Sequence, residues 1–242
     1  MSIRDNSTHN STNGRKPVIL VVDGVIGAGK TTLIRECLLP TLTSRGWKVT
    51  EVREPVDKWK QNGRLRQFYE DPKRRAYQFQ TMAFHDRVKE CMDTYDRYAN
   101  SSDVFILERS IFTDILFIKM LLDSDQIDQT EYDDYLSLWN MWDRVMPFHP
   151  DLFIYLRPSL NECMRRLRER NRDGESGVSE EYQRSLLKEH DEFLGSSSVK
   201  IGRNHYVPRL LLDTDNNFRD SPVIREEISE QVATMIEKIM LD

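Results

Sequence analysis

The sequence predicts an α/β fold: a parallel sheet of about five strands with helices on both faces. The first observation is a set of short apolar runs, each the length of a buried strand. They are VILVVD (Val18–Asp23), WKVTEVRE (Trp47–Glu54), DVFILE (Asp103–Glu108), DLFIYLR (Asp151–Arg157) and PRLLLD (Pro208–Asp213). The second is what separates them: longer segments with helical spacing at 31–45, 74–98, 111–122, 131–146, 160–172 and 180–194, with a last one at 221–241. Strands that alternate with helices pair in parallel and are covered on both sides. In such sheets a ligand lies beyond the carboxyl ends of the strands, so residues just after each run carry the interest.

Taken in order, the chain starts with MSIRDNSTHNSTNGRK, rich in Ser, Thr and Asn and without an apolar stretch. It reads as a disordered tail over residues 1–16, not a secretory signal, ahead of one domain at 17–242. No apolar run approaches the roughly 18 residues of a membrane span. The net charge of −5 argues against wholesale binding to a nucleic acid polymer or an anionic membrane. Cys37, Cys91 and Cys163 are far apart and lack metal-ligand spacing, which suits buried thiols in a reducing compartment.

Behind the first strand comes GVIGAGKTT: Gly24, Val25, Ile26, Gly27, Ala28, Gly29, Lys30, Thr31 and Thr32. Gly24, four residues, then Gly29-Lys30-Thr31 is a phosphate-loop pattern set between a predicted strand and a predicted helix. Glycines let main-chain N–H groups and a helix N-terminus face negative charge. Lys30 is placed for β- and γ-phosphates and the Thr31 hydroxyl for Mg²⁺. The bland alternative is a tight turn that merely needs glycine. The pattern points to a nucleoside triphosphate and says nothing of the acceptor.

The second strand ends in EPVDKW, where Glu54 could take a proton from an attacking hydroxyl or be a simple loop acid. The third ends in Glu108-Arg109-Ser110. There a carboxylate could hold Mg²⁺ through water and an arginine could neutralise a transferred phosphoryl, or the acid and serine could merely cap a helix. Between them, FQTMAFHDR on a helix puts Gln80, Ala83 or Phe84, and Arg87 on one stripe. A buried Gln and Arg need partners. A base edge would satisfy Gln80, and Asp114 in ERSIFTD would satisfy Arg87, as a substrate site or as a structural ion pair.

In these motifs the chain resembles the deoxyribonucleoside kinase family, in particular its deoxycytidine and deoxyguanosine kinase branch. GVIGAGKTT, EPVDKW, FYEDP, FQTMA, ERSIFTD, RRLRERNRDGESG, EEYQRSLLKEHDEFL and VPRLLLD carry the resemblance over nearly the whole chain beyond the tail. It implies a P-loop kinase fold with an Arg-rich lid at about 166–180, and transfer of the ATP γ-phosphate, with Mg²⁺, to the 5′-hydroxyl of a deoxynucleoside for nucleotide salvage. It implies Glu54 as general base, Arg109 beside the hydroxyl and Glu108 as the metal-associated acid. By the same comparison Tyr69 and Glu175 hold the sugar 3′-hydroxyl, Trp59 and Phe79 line the base pocket with Ala83, and Gln80 reads the base edge. Arg166, Arg170 and Arg172 are the lid arginines, and TDNNF after Asp213 borders the donor base. Where the family's lid has two adjacent acids this chain reads Gly174-Glu175.

Thymidine-preferring members carry an apolar residue at the position of Arg87 and a small one at that of Asp114. The pair here therefore implies deoxycytidine or purine deoxynucleosides over thymidine. The resemblance further implies a homodimer near the helix bearing Trp139 and Trp142. From the cysteines and the tail the expected location is cytoplasmic, with the mitochondrion left open. One rival reading is a thymidylate-type nucleoside monophosphate kinase, which shares the loop and sheet. It would carry an Asp-Arg-aromatic motif in place of ERS. The other, a non-catalytic nucleotide switch, lacks its Asn-Lys-x-Asp guanine-reading motif here.

Overall fold

The computed structural model describes residues 16–170, 177–202, 205–215 and 218–241. Strands β1 (Val18–Asp23), β2 (Val49–Val52), β3 (Val104–Glu108), β4 (Leu152–Arg157) and β6 (His205–Asp213) form a parallel sheet. β5 (Ser198–Ile201) adds an antiparallel edge, giving the order β2-β3-β1-β4-β6-β5. The five parallel strands are those expected from the apolar runs. The sixth is four residues long and alternates exposed with buried positions, too short to show as a run.

Successive strand residues face opposite sides, and the two cores follow that alternation. Leu20, Val22, Ile106 and Ile154 pack on one face with Leu33, Leu38, Val232 and Ile236. Ile19, Val21, Phe105 and Phe153 pack on the other with Phe84, Val88, Ile118 and Tyr135. The first face is covered by the helical segment after the phosphate loop and by α10 (Pro222–Leu241). That segment runs as α1 (Lys30–Thr32), a π-helical stretch (Leu33–Leu38) and α2 (Leu39–Ser44). The Leu39 N–H reaches back to the Ile34 carbonyl. Pro40 follows and cannot donate to the carbonyl four residues behind, which accounts for the widened turn.

The second face carries α5 (Pro72–Tyr98), α6 (Ile111–Asp123) and α7 (Gln129–Val145). Asp128 and Glu131 close a capping box on α7, and the Trp139 indole N–H donates to the Ile111 carbonyl at 2.6 Å. Trp139 and Trp142 both pack against this core. Two short helices, α3 (Val56–Gln61) and α4 (Arg64–Glu70), were not legible from periodicity; each spans under two turns and follows a breaker, Pro55 or Gly63. α8 (Leu160–Arg170) and α9 (Glu180–Leu194) complete the fold. Among the described residues no helix is long and apolar enough to cross a membrane. All three cysteines are buried and free, and burial pushes their thiols up to about 11 or 12, as expected of inert core residues.

Candidate active site

A cleft of about 230 Å³ opens beyond the carboxyl ends of β1, β2 and β3. Its floor is the loop after β1. At Gly24 φ is +147°, and a Cβ there would lie 2.4 Å from the Leu156 carbonyl oxygen, so the chain can pass only as glycine. The Lys30 ammonium curls over the loop and donates to the Gly24 and Val25 carbonyls, both at 3.0 Å. Burial, aided by the nearby Arg109 charge, brings Lys30 down to about 8, against the opposing pull of Glu54, Glu108 and Asp23. Thr31 Oγ1 donates to Glu108 Oε1 at 2.7 Å, bringing the two expected metal-side residues together. Burial and the Glu54 charge raise the Glu108 carboxyl.

Within the loop, Ile26, Gly27, Lys30 and Thr31 face this cleft. Val25 and Ala28 are turned into the core. Gly29 and Thr32 face an adjoining recess with Gly27, Arg166, Arg170 and Phe218. Arg166 is tied to the loop and to the end of β6: it donates to the Ala28 carbonyl at 3.2 Å and to that of Thr214 at 2.5 Å. Arg170 lines both the recess and the cleft. Arg172, Glu175 and the Asn216-Asn217 part of TDNNF lie outside the described residues, as does residues 1–15 of the expected tail.

The opposite wall is built from charges that come from separate elements. Arg87, on α5, donates to Glu54 Oε1 through Nη2 at 2.5 Å and Nε at 3.2 Å, and through Nη1 to Asp114 Oδ1. Arg109 Nε stands 3.4 Å from the same Glu54 oxygen. The expected Arg87–Asp114 pair forms, with Arg87 8% and Asp114 1% exposed, and Glu54 joins it, which the spacing did not reveal. Burial alone would raise Glu54, but Arg87, Arg109 and Lys30 together outweigh it and hold the carboxyl below its usual range. Asp114 goes the other way. Burial pushes it up to about 7 against the pull of Arg87, and its Oδ2 has no hydrogen-bond partner among the described residues. Two carboxylates share one guanidinium, and the deeper one keeps its proton longer.

Gln80 lines the cleft with long contacts only, 3.5 Å from the Asp114 carbonyl and from the Tyr135 hydroxyl. The apolar wall is Trp59, Leu65, Phe68, Tyr69 and Phe79. Trp59 meets Phe79 edge to face at 5.7 Å, Phe68 stacks on Phe79 at 4.9 Å, and the Trp59 indole N–H is anchored on Asp86 at 2.9 Å. Gly177 packs on Tyr69, where a Cβ would come within 2.8 Å of the tyrosine Cβ. Of the expected pocket residues, Ala83 sits behind the wall among Trp59 and Leu65, and Asp114 reaches the cleft only through Arg87. Tyr182 from α9 and Phe117 from α6 also line the cleft. Phe117 lies outside the quoted motifs, and Tyr182, although inside EEYQRSLLKEHDEFL, carries no signal there that separates a cleft residue from core.

The model of the deoxynucleoside kinase family matches residues 20–237. The chain belongs to the deoxynucleoside kinase family. It is an enzyme, a deoxyribonucleoside kinase that phosphorylates nucleosides for salvage. The kinase is 32% identical to a probable deoxycytidine kinase of fowlpox virus, over 91% of this chain and 88% of that one. It is 28% identical to deoxycytidine kinase 2 of Gallus gallus, covering 89% of each, and 29% identical to a deoxyadenosine kinase of Dictyostelium discoideum, covering 89% and 80%. Among solved structures a deoxyadenosine kinase from M. mycoides, bound to dCMP and a flexible dCDP, superposes with a TM-score of 0.70 at 24% identity. That match covers 90% of this kinase and 100% of the other chain and speaks to the shared fold.

Proposed function

We propose that the kinase transfers the γ-phosphoryl of ATP to the 5′-hydroxyl of deoxycytidine or a purine deoxynucleoside, in preference to thymidine. The observation that carries this reading is the Glu54–Arg87–Asp114 chain beside Arg109. An ionised Glu54 is in the protonation state of a base, and Arg109 beside it can steady the hydroxyl oxygen as it attacks. The main-chain amides from Gly24 to Thr32, with Lys30, hold the donor phosphates, and Arg166, Arg170 and Arg172 close over them. Trp59 and Phe79 line the base pocket, Gln80 with its unspent hydrogen-bonding capacity meets the base edge, and Tyr69 with Glu175 takes the 3′-hydroxyl. Thymidine is penalised because its 5-methyl would crowd Arg87 while leaving polar groups unpaired.

Mg²⁺ fits the residues present. Thr31 and Glu108 offer adjacent hard oxygen donors, and the remaining ligands would come from phosphate and water, since no group of three or more acidic, His or Cys side chains could hold a metal among the described residues. When bound, the ion would neutralise charge on the donor phosphates. The names of the viral, avian and slime-mould relatives support deoxycytidine and deoxyadenosine as the acceptors to try first. By family resemblance the kinase works as a homodimer, and its buried free thiols suit the cytoplasm or the mitochondrion. The test is a phosphorylation panel with ATP and Mg²⁺, offering deoxycytidine, deoxyadenosine, deoxyguanosine, thymidine and dTMP separately. Preferred turnover of deoxycytidine or a deoxypurine is expected. A preference for thymidine would remove the role given to Arg87 and Asp114, and turnover of dTMP alone would overturn the acceptor.

A further inference from the structure

Helix α9 carries two polar side chains with no exposure, Gln183 and His190, seven residues apart on one face. Both are directed at the loop and strand ends that build the cleft. Gln183 Nε2 donates to the Ile26 carbonyl at 2.6 Å, inside the phosphate loop. His190 lies under β1, with Nδ1 2.8 Å from the Leu186 carbonyl and Nε2 facing Asp23 Oδ1 across 3.4 Å. A carbonyl only accepts, so Nδ1 carries a proton. Nε2 completes no hydrogen bond among the described residues, and the Asp23 carboxylate is the charged group it faces. The Asp23 carboxylate is thus the group that Nε2 can serve as a donor.

Asp23, the last residue of β1, is fully buried and works as a junction. Its Oδ1 accepts the Gly24 N–H at 2.7 Å, its Oδ2 accepts the Thr113 hydroxyl at 2.5 Å, and Arg109 Nη1 lies 3.4 Å from Oδ1. Arg109 is itself held in an unusual way. Its backbone has φ 67°, its N–H donates to the Val22 carbonyl at 3.0 Å, and its guanidinium lies 4.8 Å over the Phe117 ring. Phe117 in turn meets His190 edge-on at 6.2 Å. The guanidinium therefore hangs between Asp23 and Glu54, 3.4 Å from each. A buried carboxylate paired with Arg109 alone would draw that charge down and away from the cleft. His190 faces Asp23 as a further donor, beside the Gly24 N–H and the Thr113 hydroxyl, and leaves the guanidinium shared with Glu54.

We propose that His190, acting through Asp23, is a positioning residue that sets Arg109 against Glu54 at the acceptor hydroxyl. The depressed carboxyl of Asp23 agrees with this: burial would raise it, and His190, Arg109 and Lys30 together overcome that. The inference rests on the assignment of Arg109 to the reacting hydroxyl.

The experiment is a double-mutant cycle in the full-length enzyme with R109A, H190L, H190Q and R109A/H190L. For each, kcat is measured per nucleoside-binding site, alongside the nucleoside KM and the Tm. H190L is expected to lower kcat by about tenfold to a hundredfold, by analogy with groups that orient metal ligands, with KM within about twofold. H190Q, whose amide can still donate to Asp23, should recover part of that loss. H190L should cost nothing further once Arg109 is gone. A normal kcat in H190L, additive losses in the double variant, or equal losses in H190L and H190Q would each overturn the inference while leaving Arg109 in place. A normal kcat in R109A would remove the assignment of Arg109, and this inference with it.

Discussion

On the β1 side of the cleft the working groups come from nine consecutive residues, Gly24–Thr32, and glycine lets the main chain fold tightly enough to present them. On the α5–α6 side, Glu54, Arg87, Arg109 and Asp114 come from four separate places in the chain and meet only when the sheet has formed. One wall depends on the absence of a side chain, the other on the mutual neutralisation of buried ones. The difference tells which kind of change each wall tolerates. An added methyl should break the first, and a removed charge should break the second.

The largest effect is expected on the charged wall. Glu54→Gln preserves shape and a hydrogen-bonding oxygen for Arg87 but loses the base, so kcat should fall by about 10²–10⁴. Nucleoside binding, read from quenching of the cleft residue Trp59, should persist. Near-normal turnover in this variant would take Glu54 out of the mechanism. Next comes the main-chain wall. Gly24→Ala puts a methyl against the Leu156 carbonyl oxygen at a left-handed φ, where neither backbone can yield. About 1–3 kcal/mol of stability should be lost, seen as a lower Tm, with a raised KM for ATP and little change in the nucleoside KM. An unchanged Tm would mean that the loop relaxes as a unit.

The two walls also differ in how far the sequence disclosed them. The loop was legible because its chemistry is contiguous and its pattern has few other uses. The Arg87–Asp114 pair could be anticipated because a buried Arg on a helical stripe needs an acid, and ERSIFTD offers one. The inclusion of Glu54 in that pair was not legible, since nothing in EPVDKW reports a distance to α5. Tyr182, Asp23 and His190 escaped for the same reason: their partners lie on elements remote in sequence, and a His on an apolar helix face looks like ordinary core. Helices α3 and α4 and the edge strand β5 were missed because each is too short to repeat its period often enough to be seen.

A smaller effect should appear in selectivity. Replacing the pair together, Arg87→Met with Asp114→Ala, removes both buried charges at once and avoids stranding either. The ratio of thymidine to deoxycytidine kcat/KM should rise by about tenfold or more, the scale of a single pocket contact. A constant ratio would make the pair a structural bridge between α5 and α6 with no part in choosing the base.

The last expected signal is a slope of stability with pH, opposite in sign on the two walls. Asp114 titrates near 3.8 in the unfolded chain and is raised to about 7 when folded, so between those values the folded state keeps a proton that the unfolded state has released. Its contribution to stability is full below about 4 and is lost as pH rises towards about 7. Asp23 is depressed in the fold, so its contribution is present above 3.8 and is lost only as pH falls below that value. Urea unfolding of the parent, D114N and D23N from about pH 3 to pH 8 separates the two. Relative to D114N, the parent should lose stability from about pH 4 to pH 7. Relative to D23N, it should lose stability only on the acid side. A flat difference between the parent and D114N over the neutral range would mean that Arg87 keeps Asp114 ionised throughout, and that the charged wall holds both carboxylates as anions.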